Sequence, residues 1–239
     1  MKNFKVFALK IFELIKWYLA TRNFEKIHKK TDKNVLFVEL CTSLLTIKIN
    51  CLFSLALKKK FNIYVLFPQK SKFYEFLYRM VGVENFIYLD DKIDLKEKCS
   101  FLFKKNYNSS NFLNFKYELI SVGKYVASKY LMINKLGNFQ INNSNKKKIF
   151  NMFFESISSI EIAKKKLLKY NFDIMIFNER GYSPAGEIFE FALKNKIKCI
   201  QWFGAPIADN HSFKSYTWKN RTKHPLTLCK SSQNYLKNK

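Results

Sequence analysis

Phe172-Asp-Ile-Met-Ile-Phe-Asn-Glu-Arg-Gly-Tyr-Ser-Pro-Ala-Gly-Glu187 is the stretch that decides how this chain folds. Its first six residues make a run of strand length, apolar except for Asp173, and Asn178-Glu179-Arg180-Gly181 ends that run with charge and a glycine. Ser183 and Pro184 then mark a helix start. Serine is a favoured N-cap, and proline at the first helical position loses no hydrogen bond, because that N–H has no intrahelical partner. Helix is expected from Pro184 to Lys196 and a second apolar strand from Ile197 to Phe203. Buried strand, loop, helix and buried strand in succession is the pattern of a parallel sheet.

The same alternation recurs toward the amino terminus. Asn34-Val-Leu-Phe-Val-Glu-Leu40 reads as a strand, and Thr42 or Ser43 is placed to cap a helix running to about Lys60. Ile63 to Phe67 is a strand stopped by Pro68, Lys72 to Val81 a helix closed by Gly82, and Asn85 to Leu89 a third strand. Asn111 to Asn134 and Lys146 to Tyr170 carry long apolar patterns at helical spacing, separated by the polar stretch Gly137 to Asn145. From Asp209 the chain is polar and basic without a clear period. The expected architecture is α/β. A Rossmann-like, doubly wound parallel sheet occupies residues 34–208, with a helical insertion at about 111–170 and a basic tail over 209–239.

Residues 1–33 form an amphipathic helix and a polar linker on this reading. Phe4, Phe7, Ile11, Leu14, Ile15 and Tyr18 share one helical face, with Lys5 and Lys16 opposite. Lys5, Lys10, Glu13 and Lys16 break the run well short of the roughly 20 apolar residues a membrane span needs. A compact apolar segment followed by a cleavage site is also missing. Two readings stay open: a helix packed on the domain, or one resting on an anionic membrane surface.

Composition narrows the function. The 239 residues suffice for a sizeable core, and 48% hydrophobic with 17% aromatic content excludes disorder. A net charge of +25 raises nucleic acid as a partner. The positive residues are overwhelmingly Lys, however, with Arg only at Arg22, Arg79, Arg180 and Arg221. Specific phosphate and base readout favours Arg, so nucleic acid is not the expected partner. Five cysteines, Cys41, Cys51, Cys99, Cys199 and Cys229, form no CxxC pair, and His28, His211 and His224 show no metal-ligand spacing with them. Cys51 and Cys199 read as small core residues in a reducing cytoplasm, and no bound metal is expected.

Open parallel sheets bind ligands beyond the carboxyl ends of their strands. Three such ends stand out. Glu39-Leu-Cys-Thr-Ser43 has no glycines, and neither a GxGxxG fingerprint nor a Walker lysine loop occurs in the chain, which excludes nucleotide binding by those motifs. At the second end, the start of the helix after Ser183 offers free N–H groups and a positive dipole to an anion beside Arg180. Gly186 there lets a ligand or a neighbouring backbone come close, and Glu179 is a candidate general base. The alternative is that Glu179 and Arg180 pair with neighbours and simply fix the turn. At the third end, Gly204-Ala-Pro-Ile-Ala-Asp-Asn-His211, Asp209 and His211 are placed to reach the same crevice. Lys214 and Arg221 add positive charge, and His224 is a second candidate acid/base.

The order of these segments, with Phe61-Asn-Ile-Tyr-Val-Leu-Phe-Pro68, Phe172 to Tyr182, Gly186-Glu-Ile-Phe189 and Ile200-Gln-Trp-Phe-Gly204, resembles the amino-terminal half of a bacterial GT-B-type glycosyltransferase. Such enzymes are encoded with capsule and other surface polysaccharide genes, and the resemblance covers roughly residues 34–239. It implies two Rossmann-like halves facing each other across a cleft. This half would receive a glycan or lipid-linked acceptor; the other would hold a nucleotide-sugar, a co-substrate rather than a bound cofactor. Thr42, Ser43, Arg180, Gly181, Tyr182, Gly186 and Lys214 would bind substrate, with Glu179 or His211 as the base. Nothing after His224 is long enough for the second half, so a separate donor-binding subunit is expected. The alternative is a non-catalytic, membrane-associated binding or scaffold subunit in envelope polysaccharide assembly. Either fits a cytoplasmic chain, peripheral at the inner face of the membrane.

Overall fold

β1 (Asn34–Val38) is the axis around which the chain is wound, and its side chains are buried from Val35 onward. A computed structural model of the chain describes residues 2–23, 31–40, 43–204 and 210–226. β1 pairs in parallel with β2 (Asn62–Phe67) on one side and β6 (Phe172–Phe177) on the other. β3 (Asn85–Tyr88) continues outward from β2, and β7 (Lys198–Gly204) from β6, both parallel. β8 (His211–Tyr216) closes that edge antiparallel to β7. The order β3-β2-β1-β6-β7-β8 makes a mostly parallel, doubly wound, Rossmann-like α/β sheet whose winding reverses between β1 and β6.

Successive strand residues point to opposite faces, so the two cores follow from residue parity. Val35, Phe37, Ile63, Val65 and Phe67 face α1 (Lys2–Thr21), α2 (Leu44–Leu57) and α3 (Lys72–Met80), which bring in Trp17, Ile47, Cys51, Leu77 and Tyr78. Leu36, Val38, Leu66, Met175 and Phe177 face the other way, under α4 (Lys96–Lys105), α5 (Ser109–Asn114), α6 (Val122–Asn134), α7 (Lys146–Leu167) and α8 (Ala185–Lys194). Right-handed crossovers account for α2 and α8 lying on opposite faces, because the chain leaves β1 and β6 in opposite directions along the sheet. Cys51, Cys99 and Cys199 are buried thiols.

Three segments depart from the sequence reading. The helix expected over Asn111–Asn134 is broken by a small hairpin, β4 (Lys116–Tyr117) and β5 (Ile120–Ser121). Its turn residues Glu118 and Leu119 take positive φ values of 49° and 72°, a conformation that sequence signals associate with Gly or Asn. The helical insertion accordingly starts at α4 and ends with α7 at Leu167, earlier at both ends than expected. Residues 211–216, expected in an irregular tail, are the edge strand β8. Only Tyr216 of this strand is buried, so His-Ser-Phe-Lys-Ser-Tyr carries no apolar alternation to be read.

Candidate functional site

A cleft of about 1190 Å³ opens above the carboxyl ends of β1, β2 and β3. That is at the large end for small-molecule sites, which run to roughly 1,000 Å³. Leu40, Pro68 and Leu89 form its floor, and Asp90, Asp91, Lys92 and Asp94 of the loop after β3 stand at its mouth. Across from them, α6 contributes Lys129 and Met132, and α7 contributes Phe154, Glu155, Ser158, Ser159 and Ile162. Tyr182, Ser183 and Pro184, from the loop between β6 and α8, complete the wall at the point where the winding reverses.

The charges in this wall are not equivalent. Asp91 is tied to the Lys166 ammonium at 2.6 Å, which holds its carboxyl below the usual range. Lys166 also donates to the Tyr88 carbonyl at 2.6 Å, so this pair braces the loop after β3. Glu155 faces Lys129 at 3.5 Å. The Ser158 hydroxyl has no hydrogen-bond partner within the protein although its oxygen is shielded, whereas the Ser183 hydroxyl, only 4% exposed, lies beside the Glu187 carboxyl and favours its ionised form. A shielded hydroxyl without a partner is uncommon in a folded protein, and Ser158 is one on the cleft wall.

The loop from Asn178 resolves the two readings of Glu179 and Arg180 in favour of the turn. Glu179 Oε1 accepts from the backbone N–H of Arg180 at 2.7 Å and of Gly181 at 2.6 Å. Arg180 is buried and turns away from the cleft. Its Nε donates to Gln201 Oε1 at 2.9 Å, Nη1 to the Arg221 carbonyl at 2.7 Å, and Nη2 to Tyr216 Oη at 3.1 Å and to the Lys223 carbonyl. The guanidinium also lies over the rings of Tyr216 (4.2 Å) and Phe189 (4.8 Å). It is a clamp that fastens β8 and the following turn to the sheet, with its donors consumed by internal acceptors.

The expected anion site at the start of α8 is likewise filled from within. Pro184, not Ser183, occupies the cap position, joined to Ser183 by a cis peptide bond. Gly186 N–H donates to the Tyr182 carbonyl at 2.9 Å. Glu187, fully buried in the first turn, accepts a hydrogen bond from Ser156 Oγ. Burial pushes its carboxyl up to about 7, against the opposing effect of the Ser156 bond. The Glu187 carboxyl thus lies buried in the first turn of α8, where an external anion was expected. Gly186 faces the Tyr125 ring, where a Cβ would lie 2.3 Å from Cδ1, so its missing side chain serves helix packing rather than ligand approach.

The remaining expected residues lie elsewhere. Ser43 caps α2, accepting from Thr46 N–H at 3.2 Å, and is not part of the cleft lining. Thr42 and residues 205–209, including Asp209, fall outside the described residues. The His211 ring stacks on Trp202 with centroids 5.2 Å apart and planes 7° apart, and meets Phe53 edge-on at 5.7 Å. That is the α2 face of the sheet, away from the cleft. Lys214 donates to the His224 carbonyl at 2.6 Å. Among the described residues, Tyr182 is thus the one expected site residue that the fold places in the cleft wall.

Glu39, in the first strand end, points to the α2 face as well. Its Oε1 accepts from Asn50 Nδ2 at 2.7 Å and from the Tyr78 hydroxyl, while Asn50 Oδ1 accepts from Trp202 Nε1 at 2.8 Å. Burial raises the Glu39 carboxyl, and these bonds oppose it. The cleft's polar groups Asp90, Asp94, Lys129, Glu155 and Ser158 were not singled out in the sequence, and Ser183 was read there as a helix cap. The signal was present in Leu89-Asp-Asp-Lys-Ile-Asp94, because the strand-end rule applies to the third strand as it does to the others. Among the described residues no group of three His, Cys, Asp or Glu could hold a metal ion. Comparisons with protein-family models, with curated proteins and with solved structures give no match to this chain.

Proposed function

We propose that this chain is the acceptor-binding domain of a glycosyltransferase, serving transfer of a sugar from a nucleotide-sugar to a surface polysaccharide or lipid-linked acceptor. The observation that carries the reading is the chemistry of the cleft at the winding reversal. The start of α2 is capped by Ser43 Oγ, and the buried Glu187 carboxyl sits in the first turn of α8, which argues against either being a phosphate cradle. What the cleft does present is carboxylates, the unpartnered Ser158 hydroxyl, and the apolar surfaces of Tyr182, Phe154 and Met132. Polyhydroxylated rings with one apolar face suit such a wall, through hydroxyl bonds to carboxylates and contact with the aromatic rings.

A base activating an acceptor hydroxyl is then to be sought in Asp90, Asp94 or Glu155, which face the cleft. Glu179 and His211 are engaged elsewhere. The nucleotide-sugar would be held by a separate donor-binding subunit, and a lipid-linked acceptor would bring this domain to the inner face of a membrane. Among the described residues no helix is long and apolar enough to cross one.

Saturation-transfer NMR with neutral oligosaccharides and with nucleotide-sugars tests the proposal. Oligosaccharide binding that weakens in Tyr182→Ala and Ser183→Val supports it. Tight nucleotide-sugar binding by this chain alone, with oligosaccharides inert, would contradict it.

A further inference from the structure

From Leu9 onward, α1 turns most of its large apolar residues outward. Leu9, Ile11, Phe12, Ile15, Tyr18 and Leu19 are between 41% and 63% exposed, while Leu14 and Trp17 pack inward. The side turned to the protein is held by other means. Trp17 is buried and its Nε1 donates to the Leu77 carbonyl of α3 at 3.2 Å. Glu13 pairs with Lys48 of α2 at 2.5 Å, and the Lys10 ammonium lies 5.4 Å from the Phe73 ring centroid. These contacts fix the rotation of the helix, so the outward stripe is a property of the fold and not of a loose terminus.

A helix that shows so much apolar surface is out of place in water. The stripe runs onto α2, where Leu45 and Leu52 stand exposed on the same helical face as Lys48, the residue that touches α1. Its rim is basic: Lys16 is exposed with its ammonium over the Phe12 ring at 4.2 Å, and Arg22 is exposed just beyond the last turn. The whole chain carries +25. An apolar stripe with a cationic rim, on a helix lying flat against its domain, matches the chemistry of an anionic lipid surface, apolar side chains entering the acyl boundary and ammonium groups meeting headgroups.

We infer that the outer face of α1, extended by Leu45 and Leu52, docks the chain on an anionic membrane. The inference stands on α1 and does not depend on what the cleft binds. Flotation of the full chain with vesicles of phosphatidylcholine plus phosphatidylglycerol, compared with phosphatidylcholine alone, tests it. The chain is expected to float with the anionic vesicles, and less so as salt rises. Phe12→Gln, Ile15→Gln and Leu19→Gln together should lower the partition coefficient by about tenfold or more, because each removes exposed apolar surface without touching a buried contact. Lys16→Glu, a milder change, should weaken binding to anionic vesicles only. Ser183→Val in the cleft should float like the unaltered chain, which separates this surface from the cleft. Absence of flotation, or equal flotation of the triple variant, overturns the inference. So does concentration-dependent dimerisation that the triple variant abolishes without vesicles, since the stripe would then be covered by a second copy.

Discussion

Replacing Arg180 by Ala distinguishes a clamp from a ligand-binding residue, because the two roles predict opposite outcomes. Arg180 makes charge-assisted hydrogen bonds to Gln201 and Tyr216, which are buried, and to the carbonyls of Arg221 and Lys223, which are partly buried. Such bonds contribute about 1.5–3 kcal/mol each in isolation but share one guanidinium, so they do not add. Removing the guanidinium leaves those carbonyls and Gln201 Oε1 without it, and also loses the stacking on Tyr216 and Phe189. The expected destabilisation of Arg180→Ala is about 4 kcal/mol, near the range for breaking a buried polar pair. For a domain of this size that is roughly 10 °C in Tm. Arg180→Lys keeps the charge but not the fork and should lose about half as much. Urea and thermal unfolding followed by Trp202 fluorescence provide the measurement. A change below about 0.5 kcal/mol, within the scatter of ordinary surface substitutions, would refute the clamp. Lost oligosaccharide binding at unchanged stability would refute it more directly.

Further consequences follow from the same contacts. Glu187, raised to about 7 from an ordinary 4.5, binds its proton more tightly in the folded state. Its contribution is therefore fully present below about pH 4.5 and is lost as pH rises through about 7, a fall of up to about 3 kcal/mol over that window. Urea midpoints across pH 5–8 should be flatter for Glu187→Gln than for the unaltered chain; parallel profiles would contradict this. Gly123→Ala would place a Cβ 1.5 Å from the Phe112 carbonyl oxygen, a backbone atom with no room to yield, and should cost more than about 3 kcal/mol. Gly137→Ala, with nothing within 4 Å, should change stability by less than about 0.5 kcal/mol, so similar melting points for the two variants would be evidence against the α5–α6 packing described above. Asn50→Ala removes a partner of both Glu39 and Trp202 and should cost about 2–3 kcal/mol, read by urea unfolding.

The sheet was legible because its strands are buried on both faces. Val35 to Val38, Ile63 to Phe67 and Met175 to Phe177 are near-continuous apolar runs, bounded by Pro68 or by charge. The helices opposite were legible by period, with their ends marked by Ser43 and Gly82. The hairpin at Glu118-Leu119 was hidden because ordinary residues adopt positive φ there, held by the elements around it. β8 was hidden because an edge strand is half solvated. The site was harder to read than the fold. Glu179 and Arg180 look functional in sequence because charge at a strand end is the mark of a binding loop. Only the folded chain shows Glu179 accepting from the N–H groups of its own turn and Arg180 bonded to Gln201 and the Arg221 carbonyl. The cleft walls come from α6 and α7, distant in sequence from the loop after β3, so their convergence depends on a topology that local pattern does not specify.

Methionine-methyl NMR tests the central claim, that ligands enter the cleft where the winding reverses. Met132 lines the cleft, whereas Met80, Met152 and Met175 lie in the two cores. Titration with an oligosaccharide that binds the chain should shift the Met132 methyl resonance and leave those of Met80, Met175 and Met152 nearly in place. Binding with Met132 unmoved would contradict the account.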